Sequence, residues 1–166
     1  MEELPYDINN IIKNYVIFKP DNKQILQQAV DLWCDNKEEA IKKYGDISIW
    51  NTSLIIDMSN LFMNKFDFND NISNWDVSNV TNMKGMFYSA HSFDKSLKNW
   101  DVSNVTNMSY MFYDTELFNK NINNWNVSKV RNMEKMFALT NLFDKPLNKW
   151  NVSNVRNMSD MFYGAV

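Results

Sequence analysis

The chain holds one cysteine, one histidine, three glycines and three prolines among its 166 residues, and each scarcity removes a class of function. A lone Cys34 cannot close an intrachain disulfide, and beside Trp33 in a predicted helix it reads as a reduced, partly buried thiol. His91 would have to carry a histidine-based dyad or metal site alone, and it stands in an Ala-His-Ser turn with Glu116 and Asn141 at the matching positions of later copies. With three glycines there is no phosphate-cradling loop. Arg131 and Arg156 share one repeat position instead of clustering, and the formal charge is −3, so the electrostatic footprint of a nucleic-acid binder is missing. No apolar run approaches membrane-spanning length, and the start Met-Glu-Glu-Leu-Pro-Tyr-Asp lacks a basic leader. The expectations are no cofactor, no metal, no catalytic residue, no nucleic acid, no membrane insertion, and a cytoplasmic, non-secreted chain.

What is present is a repeat. Trp50, Trp75, Trp100, Trp125 and Trp150 recur every 25 residues, each opening a near-copy of Trp-Asp/Asn-Val-Ser-Asn-Val-Thr/Arg-Asn-Met-x-x-Met-Phe. A period of that size marks a solenoid, in which each coil buries its apolar side against its neighbours. The predicted fold class is a repeat solenoid, leucine-rich-repeat-like and α/β, with short parallel strands and a short helical turn in each 25-residue coil. Its core is Trp75, Trp100, Trp125 and Trp150, with Met83, Met108, Met133 and Met158 and with Phe87, Phe112, Phe137 and Phe162. Met83, Met86 and Phe87 stand at i, i+3 and i+4, which predicts one helical turn capped by Thr81 or Asn82. Leu97 through Trp100 to Val102 is the predicted strand. Repeated Asn and Ser are expected in turns, bonding backbone of their own or adjacent coils as ladders.

Two regions follow. Residues 1–49 carry helical patterns and form a predicted N-terminal cap; residues 50–166 are the solenoid of about five repeats, the last incomplete. Pro5 suits the first turn of a helix to about Tyr15. Asp21 with Gln24, and Asn36 with Glu39, read as capping boxes for two more helices, the second stopped by Gly45. The copy opened by Trp150 lacks the later Phe and Leu/Ile slots, so an apolar end is expected there. Met161, Phe162, Val166, Phe143 and Leu147 are the candidates for end-to-end association into a homodimer.

The unit Trp-Asp-Val-Ser-Asn-Val-Thr-Asn-Met-Ser-Tyr-Met-Phe at 100–112, followed by Phe118 and Ile122, resembles the 25-residue repeat of the BspA-like, mycoplasma-type leucine-rich-repeat family, also found in large DNA viruses. The leader is similar as well, through Phe18-x-Pro20, Ala29-Val30-Asp31-x-Trp33 and Tyr44-Gly45-Asp46-Ile47-x-x-Trp50. This resemblance implies a right-handed leucine-rich-repeat-like solenoid, adhesion for secreted members, and no catalytic residues. The missing leader favours an intracellular setting, in host cytoplasm or virion for a viral protein. The segment Leu4-Pro5-x-Asp7-Ile8-x-x-x-Ile12-x-x-Tyr15-Val16 is similar to the first helix of an F-box, which implies docking of a ubiquitin-ligase linker through Leu4, Pro5, Ile8 and Ile12.

The expected function is a non-enzymatic protein–protein interaction scaffold with a partner of unknown identity. Its mixed polar strip is Lys95, Lys98, Lys120, Asn123, Lys145 and Lys149.

Overall fold

A computed structural model describes residues 17–165. The first predicted helix, with Leu4, Pro5, Ile8 and Ile12, lies outside the described residues, as does Val166.

Helix α1 spans Lys23–Asp35 and buries Leu26, Ala29, Val30 and Trp33, the stripe expected from helical spacing. Its cap is Asn22, not Asp21: the Asn22 side chain accepts from the Ile25 amide at 3.1 Å. Asn and Asp serve equally at that position, so the sequence does not choose between neighbours. Helix α2 spans Lys37–Tyr44, with the Asn36 side chain accepting from the Glu39 amide at 3.1 Å; the reciprocal half of the expected capping box is not formed, because the Asn36 amide donates to the Leu32 carbonyl of α1. Gly45 ends it at φ +74°, a conformation that L side chains resist. A 3-10 turn, Ile47–Ile49, leads to Trp50.

From Trp50 onward the 25-residue copies are bonded to one another. Single parallel bridges run Asp57–Asn82–Asn107–Asn132–Asn157. Neither an extended strand nor a helical turn is present in this region among the described residues. Trp100 instead closes a tight turn onto the Leu97 carbonyl, and Met86 closes one onto Met83. The predicted helical turn is replaced by a run of linked turns. In the Trp75 copy, Met86, Tyr88 and Ala90 donate backwards to Met83, Gly85 and Phe87, while Met83, Gly85, Phe87 and Ser89 donate to Asn107, Ser109, Met111 and Tyr113 of the next copy. Alternate amides thus serve the local turn and the neighbouring copy, so this run of backbone donors is paired without a helix or strand. Turns of this kind need left-handed residues at intervals of four, and they occur at Asn60 and Asn64, Gly85 and Ser89, Tyr110 and Asp114, Lys135 and Leu139, and Asp160 and Gly164.

Three side-chain systems tie the copies further. Four repeat indoles donate 28 residues back along the chain: Trp75 to the Ile47 carbonyl, Trp100 to Ile72, Trp125 to Leu97 and Trp150 to Ile122, at 2.8–3.2 Å. Rings of Phe62, Phe87, Phe112, Phe137 and Phe162 form one column with centroids 5.4–5.6 Å apart. A second column, Phe68, Phe93, Phe118 and Phe143, packs against it. Asn and Asp side chains close the corners, as at Asp76, Asp101, Asn126 and Asn151, each accepting from the amide two residues on. Asn79, Asn104 and Asn154 reach the preceding copy's backbone as a ladder.

Helix α1 packs on the first copy. Trp33 Nε1 donates to Asp70 at 2.8 Å, Gln27 reaches the Leu61 carbonyl at 3.0 Å, and Lys65 pairs with Asp31 at 2.9 Å.

Candidate interaction surface

The repeat tryptophans Trp75, Trp100 and Trp125 are buried, as are Met83, Met108 and Met133 and the rings of Phe87, Phe112 and Phe137. They are scaffold, positioned by the columns above. In the Trp150 copy the same slots open: Met158 is 43% exposed and Phe162 50%, and Trp150 is half-buried. Of the proposed association residues, Phe162 is exposed, Phe143 and Leu147 are partly buried, and Met161 is buried at 6%. The exposed apolar side chains of this copy also include Val152 and Tyr163, outside the set expected from the sequence.

The polar strip is less free than a row of lysines implies. Lys120 pairs with Asp94, Lys145 with Asp144, and Lys149 Nζ donates to Asn124 at 3.0 Å. Asn123 is buried and bonded to Asn148 at 2.8 Å. Pairing offsets the charge of Lys120 and Lys145, while Lys149 bonds a neutral amide and keeps its charge.

An aromatic group missed by the sequence reading lies elsewhere. Tyr88 and Tyr113 stack at 4.6 Å, and Tyr110 sits 5.9 Å from Tyr113 with its hydroxyl donating to Glu134 at 2.7 Å. Donation to a carboxylate holds the Tyr110 phenol protonated, up to about 12. All three residues are half-buried, so part of the group remains accessible to solvent. The signal was available: Tyr88 and Tyr113 occupy one repeat slot, and a slot becomes a column once copies stack.

The same logic joins His91 to its neighbours. Its Nε2 lies 3.1 Å from Asp114 Oδ2, and donor atoms of His91, Asp114 and Glu116 fall within 4.8 Å of one another. Ser89 Oγ donates to that same Asp114 oxygen at 2.9 Å. Serine and imidazole therefore share one carboxylate oxygen, and the imidazole does not stand between hydroxyl and carboxylate as a nucleophile relay requires.

A cleft beside α1 is lined by Trp33, Cys34, Lys65, Phe66 and Asp70. Burial pushes the Cys34 thiol up to about 11, so it stays protonated and unreactive at neutral pH. No described helix is long and apolar enough to cross a membrane.

Neither a curated protein nor a solved structure matches this chain significantly. A family model does, over two overlapping stretches, residues 34–138 and 95–166, which take in α2, every copy from Trp50 onward and the end of α1. The matched segments contain the tryptophan, methionine and phenylalanine columns, and by that match the chain belongs to the family described as Mycoplasma protein of unknown function, DUF285.

Proposed function

We propose that this protein is a non-enzymatic interaction scaffold: a leucine-rich-repeat-like solenoid of BspA-like type, capped by its N-terminal helices, that binds a protein partner through a lateral face. The observation that carries the reading is the regular series of backbone bonds between successive copies, which fixes a preformed frame on which side chains at the variable slots are displayed. Binding to such a frame loses little conformational entropy. Among those slots, Tyr88, Tyr110 and Tyr113 form the densest aromatic group, and tyrosine combines contact area with a hydrogen-bonding tip.

Substitutions can be borrowed from the repeat itself. Tyr113→Ala and Tyr88→Ala install the Ala138 residue, and Tyr110→Lys installs the Lys135 residue. Cross-linking and recovery from the native cell should lose the partner in this triple variant while its circular dichroism stays unchanged. Equal recovery from parent and variant would remove the tyrosine face from the proposal.

We further propose that a second copy of the chain occupies the apolar face around Phe162 and Met158, which supports an end-to-end homodimer. Light scattering across a concentration series tests it; a strict monomer at high concentration would count against it.

A further inference from the structure

We propose that His91, Asp114 and Glu116 form a binding site for a divalent transition-metal cation of the zinc class. One imidazole nitrogen and two carboxylates make a mixed donor set suited to a borderline cation, with coordination positions left for water or a partner's side chain.

The register builds the site. His91 and Glu116 hold the same slot in successive copies, and Asp114 stands two residues before Glu116 in a left-handed conformation, φ +54°. The supporting backbone is pinned between copies: Ser89 donates to the Tyr113 carbonyl at 2.8 Å, Asp114 to Ala138 at 2.8 Å, and Leu117 to His91 at 3.2 Å. Phe66, one copy earlier in the same slot, lays its ring 4.9 Å from the imidazole. The Ser89 hydroxyl donates to Asp114 Oδ2, the oxygen that also faces His91, and so fixes the orientation of the carboxylate while its Oδ1 stays available.

Distances are compatible with closure. Ligand atoms around a tetrahedral zinc lie about 3.3 Å apart, given bonds of about 2.0–2.1 Å. His91 and Asp114 already stand at 3.1 Å, and all three donors lie within 4.8 Å. Glu116 is exposed and can swing the remaining distance without disturbing the core. The neighbouring copies do not repeat the set: the Asp114 slot holds Ser89 and Leu139, and the His91 slot continues to Asn141. One pair of copies therefore carries the site.

The single histidine makes a direct test possible, because its imidazole signals in an NMR spectrum belong to one residue. Zinc chloride is titrated into the full, untagged chain while those signals and the heat of binding are followed. One equivalent should shift the imidazole signals to saturation. His91→Asn and Asp114→Ser, both residues the repeat already uses in those slots, should each weaken zinc at least about tenfold, and Glu116→Gln should weaken it likewise. Imidazole signals unmoved at saturating zinc would overturn the site. So would parental affinity in any of the three variants, the mark of an adventitious ion only. Circular dichroism of each variant confirms that the fold is intact.

Discussion

Phe112 and Phe162 occupy one repeat slot yet meet different surroundings, so the same substitution at both isolates the energy of stacking between copies. The Phe112 ring is fully buried and meets Phe87, Phe118, Trp125 and Phe137 at 4.1–6.4 Å. Phe112→Ala should destabilise by about 3–5 kcal/mol, the usual loss for a buried aromatic ring and the cavity it leaves. Phe162 is half exposed and stacks on Phe137 at 5.6 Å. About half of a full burial value and one stacked pair come to about 1–3 kcal/mol for Phe162→Ala. At roughly 2–4 °C per kcal/mol for a chain of this size, the central difference of about 2 kcal/mol should separate the two variants by about 4–8 °C in Tm. Urea unfolding followed by tryptophan fluorescence, at low protein concentration to suppress association, gives both values. Because stability in a repeat array is a sum over neighbouring units, Phe112→Ala should also broaden the transition by dividing the array, whereas Phe162→Ala should leave it sharp. Equal losses at the two positions would refute the column as an interior structure.

The remaining expectations are local. Thr115→Ala, which copies Ala90, removes a buried hydroxyl that donates to the Phe87 carbonyl at 2.7 Å and should lower stability by about 1 kcal/mol in the same unfolding assay; no change would show that hydrogen bond to be neutral. Lys135→Gly, which copies Gly85, relieves a side chain held at φ +50° and should raise stability by up to about 1 kcal/mol, its 3.9 Å pairing with Asp160 being too weak to offset this; a clear loss would contradict the assigned strain. Tyr110 is held protonated by Glu134, so its folded value, about 12, lies above that of the unfolded chain. Its contribution is then complete below about pH 10 and lost as pH rises toward 12. Tyr110→Phe should reduce the alkaline loss of stability in unfolding curves taken between those pH values, leaving the part carried by Cys34 and Tyr88; unchanged curves would refute the assignment to Tyr110. Cys34 should resist a thiol-specific disulfide reagent at pH 8 in the folded chain and react promptly in urea, since burial keeps its proton on. Rapid native reaction would mean that the cleft beside α1 opens.

The 25-residue step, the inward-facing Trp, Met and Phe slots and the stripe of α1 followed from the sequence alone, because burial repeats with the period and copies can be laid over one another. The Asn36 cap and the Gly45 stop were equally legible, since each uses a local side chain or a special backbone angle. The coil's backbone was not. Apolar residues at i, i+3 and i+4 fit a helical turn, but they also fit linked turns with a left-handed residue every fourth position, and only bonds to the next copy favour the second. Those bonds join residues 24 apart, beyond any local propensity. The tyrosine group and the His91 cluster were hidden for the same reason. Reading along the chain separates His91 from Glu116 by a full period, and stacking alone makes them neighbours, so tertiary register decided which chemistry this surface carries.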